Sequence, residues 1–235
     1  MPTASGRRAA RAPARRSLDP ESIIATALEV IDAHGVDGLS MRNLGHALGV
    51  DAMTIYGYFD NKADLLAAIV GQEASRMQRF PEPLPPDPTD LIVHFALHYR
   101  EVLIEHPNLA PLVIARPLSV EQAAGTTVLG LTILRAVGIP EAHLVVAAGA
   151  LLRFTLGFVL HEALQSGSLY QLGIDREAHQ AAVLDELRAH GASPTELDAA
   201  ARQNRADAAV EELDSGLRAM IAGFAQPQVT RDGSG

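Results

Sequence analysis

Residues Pro81 to Pro88 read Pro-Glu-Pro-Leu-Pro-Pro-Asp-Pro, five prolines in eight positions. Proline lacks an amide hydrogen and its ring collides with the preceding turn, so no helix can run through this stretch. The rest of the sequence is patterned for helix. Ile23, Ile24, Ala27, Leu28 and Ile31 recur on one helical face, with Asp19 placed to cap it, Pro20 in its first turn and Gly35 at its end. β-Branched residues are scattered at helical spacing, and Asp37-Gly38 lies between helical patterns rather than alternating ones, so no hairpin is predicted. The expected fold is all-α and divided at the prolines. A flexible arm occupies 1–18, a compact three-helix domain 19–80, the linker 81–88, a larger helical domain 89–226 and a flexible tail 227–235. Helices in the larger part are expected at about 89–105, 108–115, 119–136, 141–166, 175–190 and 204–224.

Between Ser40 and Phe59 the smaller domain carries a helix, a glycine turn and a second helix. Ser40 can cap a helix over 41–48 with Leu44 and Leu48 inward, and Gly45 permits close approach of another helix. Gly49 stands where a tight turn needs positive φ. Asp51 can cap a second helix over 52–58, held inward by Ile55 and Phe59. This is the pattern of a helix-turn-helix, whose second helix enters the major groove of DNA. Its outward residues are Ala52, Met53, Thr54, Tyr56, Gly57 and Tyr58, and Ser40 is counted with them as a DNA-binding candidate. Threonine can bond base edges or phosphate, Met53 can touch a thymine methyl, and tyrosine hydroxyls suit phosphate. Asn61 and Asp64 then form a capping pair for a helix over 62–79, and Lys62, the only lysine, is expected to point at a phosphate.

Charge at first argues against DNA, since 19 basic residues face 28 acidic ones for a net −9. The distribution reverses that reading. Residues 1–18 hold five arginines, Arg7, Arg8, Arg11, Arg15 and Arg16, and no acid. The segment 19–78 has only Arg42, Lys62 and Arg76 against nine acids, so the arm, through Arg15 and Arg16, is expected to supply further DNA contacts. With no cysteine, disulfides, thiol catalysis and cysteine-ligated metals are excluded. The N-terminus lacks the apolar segment of a secretory signal. The apolar run Leu144–Leu160 is shorter than a membrane span and carries Arg153 and Thr155. It reads as a buried core or interface helix, and a cytoplasmic protein without membrane contact is expected.

Ser22 to Leu66 resembles the DNA-binding domain of the TetR family of bacterial transcriptional repressors. The resemblance rests on Leu39-Ser40-Met41-Arg42-Asn43-Leu44-Gly45, Leu48-Gly49-Val50, Thr54-Ile55-Tyr56-Gly57-Tyr58-Phe59 and Asn61-Lys62-Ala63-Asp64-Leu65-Leu66. It implies operator contacts from Arg42, Thr54, Tyr56, Tyr58 and Lys62. Gly57 departs from the larger aromatic often found at its position. His106-Pro-Asn-Leu-Ala110, Arg116-Pro117 and Phe154-Thr-Leu-Gly-Phe-Val-Leu160 resemble the regulatory domain of tetracycline repressors. That resemblance implies an effector site between helices and a dimer built on two long helices.

The residues expected at such a site are Met77, Phe80, Phe95, His98, Tyr99, Val113, Arg116, Val128, Leu131, Phe158 and His161. By the resemblance, Val113 and His161 fall where magnesium-holding groups stand in the relative, and Met77, Phe95 and Val128 where tetracycline-contacting polar groups stand. Without oxygen donors a magnesium chelate has little to hold it, so a mainly apolar or aromatic effector is expected instead. His94 and His98 lie four residues apart, a spacing able to hold zinc, with His161 a conceivable third ligand. No cysteine or nearby carboxylate completes a set, and they are read as polar lining with no metal and no cofactor. For the dimer, Leu144, Val145, Ala148, Leu151, Leu152, Thr155, Leu156 and Val159 on one helix are expected to pack against a symmetry mate. Ala209, Leu213, Gly216, Leu217, Met220, Ile221 and Phe224 on the last helix are expected to join them. The reading is a homodimeric, ligand-responsive repressor of a palindromic operator. A constitutive DNA-binding regulator and a helical metal-dependent enzyme are the alternatives.

Overall fold

The computed structural model describes residues 18–116, 119–171, 175–202 and 206–226. Among them there are helices and turns but no strand. Helix α1 spans Pro20–Gly38, α2 Met41–Leu48, α3 Ala52–Ile55 and α4 Lys62–Met77. The larger part holds α5 Pro88–Glu105, α6 Ala110–Ala115, α7 Val120–Val137, a 3₁₀ turn at Glu141–His143, α8 Leu144–Gln171, α9 Arg176–Ala189, α10 Pro194–Arg202 and α11 Ala206–Ala225.

Local chemistry sets these limits. Asp19 accepts the Ser22 amide at 2.7 Å while the Ser22 hydroxyl accepts the Asp19 amide at 3.1 Å, a reciprocal cap on α1. Gly35, at φ 71°, breaks the α1 ladder where the sequence expects its end. Ser40, Asp51, Asn61 and Asp87 cap α2, α3, α4 and α5 through their side chains. Gly49 sits in the left-handed region at φ 69° and ψ 30° and closes α2. Gly45 lies against the next helix, and a Cβ there would meet the Val50 carbonyl oxygen at 3.0 Å.

Four helices differ from expectation, among them α8, which begins at Leu144 after the 3₁₀ turn and runs on through Gly167 to Gln171 rather than ending at 166. The second reading-head helix stops at Ile55 rather than 58, because the chain tightens into i→i+3 bonds from Gly57 to Thr54 at 3.3 Å and from Tyr58 to Ile55 at 2.9 Å. Helix α4 ends at Met77, two residues early. Helix α10 stands where the sequence pattern predicts none. Ser193 accepts the Glu196 amide, and the Glu196 carboxylate accepts the Ser193 amide at 2.7 Å, so a capping box starts a helix at Pro194.

Two cores hold the chain. The first gathers Ile23, Ala27, Ile31, Leu44, Ile55, Leu65 and Ile69 of α1–α4, and it runs on without a break into Leu103, Leu109, Ala110, Val113, Val159 and Ala163 of α5, α6 and α8. The second joins α5, α7, α8 and α11 through Val93, Ala96, Leu134, Leu144, Ala147, Leu151, Leu213, Leu217 and Ile221. Arg100 of α5 and Glu162 of α8 add a largely buried, two-pronged ion pair at 2.9 and 2.5 Å.

The second core corrects the interface expectation for α11. Ala209, Leu213, Leu217 and Ile221 are buried within their own chain, while Gly216 meets the Phe154 ring so closely that a Cβ would lie 2.6 Å from it. On α8 the expected intersubunit set divides, with Leu144, Leu151, Thr155 and Val159 buried within their own chain. Only 28% of the helix's most apolar window is covered, and Val145 (73% exposed) and Leu152 (50%) face outward with Val146 and Leu164. By length and composition alone this helix could cross a membrane. Here its inner stripe packs on α5, α7 and α11.

Gly49 isolates one term of this architecture, since a Cβ there would touch nothing within 4 Å. Gly49→Ala is expected to cost about 1 kcal/mol through the left-handed backbone alone. Thermal unfolding should show a Tm lower by about 2–4 °C with the helical content unchanged.

Candidate nucleic-acid interface and effector site

The reading head is built from the inside outward. Ile55 and Phe59 are buried, which turns Met53 (73% exposed), Thr54, Tyr56, Gly57 and Tyr58 to the surface, with Ala52 partly covered. Arg42 is exposed on α2, and Ser40 spends its hydroxyl on the Asn43 amide at 3.1 Å. A short, rigid, exposed run on a helix end, with hydroxyl, thioether and phenol groups, is suited to base edges and phosphates.

Besides Ser40, two of the expected contact residues have structural tasks. The Lys62 ammonium, expected to be free for phosphate, donates to the Val36 carbonyl at 2.8 Å and so ties α4 to the end of α1. An ammonium has three donors, and this bond leaves two. The Tyr58 hydroxyl donates to the Leu18 carbonyl at 2.8 Å, so Leu18, just before α1, lies beside the recognition segment. Arg15 and Arg16 lie outside the described residues.

A second junction links head to body. His106 Nδ1 donates to the Asp32 carboxylate at 2.8 Å, and the Asn108 amide donates to the carbonyls of Ile31 and Asp32 at 3.0 and 3.1 Å. The loop between α5 and α6 is thereby fastened to the last regular turn of α1, beside the Leu109 and Ala110 packing. The sequence displays His106-Pro-Asn108 but offers no sign of its partner, which lies over 70 residues away.

The expected effector residues divide into three groups. Phe80, Phe95, His98 and Tyr99 come together, with the Phe80 ring centre 4.0, 5.5 and 5.8 Å from Phe95, His98 and Tyr99 in turn. Met77 lies one turn before Phe80, packed on the first core. Burial holds the Tyr99 phenol above its usual range, so it stays protonated. Phe158 and Leu131 pack on the second core, where Phe158 lies 6.1 Å from Phe154, and Val113 is consumed in the first. Val128 (65% exposed), Arg116 and His161 stand outside the cluster on the surface of the single chain. For Val128 the reason is that the first half of α7 packs on little, its inward contacts beginning near Leu131.

The three histidines are spread out. His94 Nε2 bonds the Pro81 carbonyl at 3.0 Å, His98 Nε2 the Arg76 carbonyl at 3.1 Å, and His161 Nε2 lies 2.8 Å from the Gln165 amide. Among the described residues no group of three or more His, Cys, Asp or Glu could hold a metal. An open groove of about 760 Å³ lies elsewhere, between the α9–α10 turn and α11, lined by Leu187, His190, Glu196 and Glu212 among others.

Glu73 was missed by the sequence reading. It follows Leu65 and Ile69 at four-residue steps, so an acid occupies the inward register of α4, and that spacing was the available signal. It is 2% exposed and pairs with Arg76 at 2.7 Å, and Arg76 pairs in turn with Glu105. The hydrogen bond from Arg76 holds the Glu105 carboxyl below the usual carboxylate range.

Residues 23–69 match the family described as "Bacterial regulatory proteins, tetR family", and residues 82–227 match "Tetracyclin repressor-like, C-terminal domain". The chain belongs to the TetR family. It is a transcriptional repressor with a DNA-binding helix-turn-helix, not an enzyme. The HTH-type transcriptional repressor DrrR1 of Streptomyces coeruleorubidus is 30% identical over 198 residues, covering 81% of this chain and 71% of its own. The tetracycline repressor protein class D of Escherichia coli is 27% identical over 210 residues, covering 88% and 89%. A TetR transcriptional regulator from Streptomyces coelicolor superposes with a TM-score of 0.61 at 25% identity, covering 88% of this chain and 98% of the other.

Asn108→Ala removes both bonds to the end of α1 and leaves two carbonyls to solvent. It is expected to destabilise this TetR-family repressor by about 1–3 kcal/mol in denaturant unfolding.

Proposed function

We propose that this repressor acts as a homodimer on a palindromic operator and releases it when an aromatic, mainly apolar small molecule enters the site beside α4. The observation that carries the reading is the shared core. Helix α4 buries Leu65 and Ile69 in one cluster with both the reading head and Leu109, Val113 and Val159 of the body. The aromatic cluster begins three residues beyond the end of α4, at Phe80. A molecule that displaces Phe80 from Phe95 would press on that end of α4, and close-packed interiors pass such shifts on rather than absorb them. Release then requires that the effector favour the form poorly matched to DNA, with a coupling of about 1–3 kcal/mol.

Dimerisation is supported by the uncovered apolar stripe of α8, with Val145, Leu152 and Leu164, and by the small exposed residues Ala219, Ala222 and Gly223 of α11. A patch of this kind calls for a partner surface, and a second copy would bring the two heads that a palindrome needs. Arg42, Thr54, Tyr56 and Tyr58, with the two remaining donors of Lys62, are the operator-contacting set in this reading, and the arm adds Arg15 and Arg16. The relative named for tetracycline uses a body of the same kind. Here Val113 is sealed in the core and His161 stands apart, which supports an effector other than a magnesium chelate.

Gel-shift titration with DNA from upstream of the chain's own gene tests the reading. Saturable, sequence-specific retardation at two protomers per site, reversed by a compound that binds the protein, is expected. Removal of residues 1–16 should flatten the dependence of log affinity on log salt by about 0.9 for each phosphate that the arm neutralises. Failure to retard specific DNA would contradict the repressor reading, and an unchanged salt slope would remove the arm from it.

A further inference from the structure

Among the described residues two buried side-chain atoms have no hydrogen-bond partner: Glu73 Oε1, and Nδ1 of His98 in the aromatic cluster. They belong to one connected set. Glu73 Oε2 binds Arg76, the Arg76 carbonyl receives His98 Nε2 at 3.1 Å, and the His98 ring lies edge-on to Phe80 at 5.5 Å. A carbonyl can only accept, so His98 Nε2 carries a proton. In a neutral imidazole the other nitrogen then bears a lone pair. Both orphaned atoms are therefore acceptors, and each lacks a donor. Leaving such atoms buried and unmet is unfavourable, and native chains seldom do so without a reason.

Charge narrows the chemistry. Glu73, Arg76 and Glu105 form a linked group of two carboxylates and one guanidinium, one negative charge in excess. The rings of Phe80, Phe95 and Tyr99, joined to this group through His98 on the Arg76 carbonyl, offer π faces that attract cations. An anionic ligand would meet repulsion here, and one without donors would leave both acceptors bare.

We infer that the effector is a planar aromatic molecule carrying a protonated amine, its ring taking the place of Phe80 against Phe95 and Tyr99 and its ammonium donating to Glu73 and His98. This rests on the effector-responsive reading above and names the ligand class for that site. Glu73 becomes the residue that sets charge preference, and His98 a second acceptor that selects for donors.

Three probes of one shape separate the possibilities: naphthylmethylamine as cation, naphthylmethanol as neutral donor and naphthylacetate as anion. Binding to the full-length protein is followed by probe fluorescence, which is free of tryptophan background because the chain has none. The amine is expected to bind at least about tenfold tighter than the alcohol, and the acetate more weakly than either. Glu73→Gln should erase the preference for the amine while leaving the alcohol within about twofold. Equal binding of all three probes, no binding of the amine, or a preference that survives Glu73→Gln would each overturn the inference. The wild-type series needs no variant to fold, so it stands alone if Glu73→Gln proves unstable. Operator release is read in parallel by gel shift. Release by a neutral or anionic aromatic without charge preference would refute the inference and leave the effector-responsive reading standing. Bound probe with the operator still held would count against that reading itself.

Discussion

The inner face of α4 is the constraint on which the rest of this structure depends. Leu65, Ile69 and Val70 are buried in a cluster that includes Ile23, Ile31, Leu44 and Ile55 on one side and Leu109, Ala110, Val113 and Val159 on the other. A helix shared in this way cannot tilt without repacking both neighbours, because interiors packed to crystal-like density have few intermediate arrangements. The polar fastenings point the same way. Lys62 on the Val36 carbonyl, and His106 and Asn108 on the end of α1, fix α1, α4 and the α5–α6 loop to one another. The reading head is therefore oriented by the body, although the proline-rich segment separates them in sequence.

Electrostatics fits a protein that reads a few contacts well. The net charge of −9 cannot supply a strong non-specific hold on phosphate. The cations near the head are few, and Lys62 is partly engaged, while Tyr58 holds Leu18 at the edge of the recognition surface. An acidic body repels DNA wherever the heads are out of register, which favours specific sites over random ones.

The head was legible because its signals are local. Caps at Asp19, Ser40, Asp51 and Asn61, and the left-handed Gly49, depend on residues two to four positions away, and each falls where the sequence puts it. The body was legible only in outline. An apolar stripe announces burial but not its partner, so the α11 stripe of Leu213, Leu217 and Ile221 read as an intersubunit face although it fills the chain's own core. Val128 suffered from the same ambiguity in reverse. The aromatic cluster of Phe80, Phe95, His98 and Tyr99 was reached through the resemblance to a known regulatory domain, but Glu73 was not, since charged residues are rarely sought at inward positions. The partner of Lys62, 26 residues away, follows from tertiary packing that no spacing in the sequence records.

In the proposed dimer, two reading heads are held rigidly by the bodies that carry them. Once the operator is defined, its half-sites can be moved apart by about five base pairs, half a helical turn. Rigid heads predict that affinity falls to that of a single half-site, since one head must then face the wrong side of the duplex. Affinity unchanged by the insertion would mean that the heads swing independently, and would contradict the account of α4 as a shared, unyielding element.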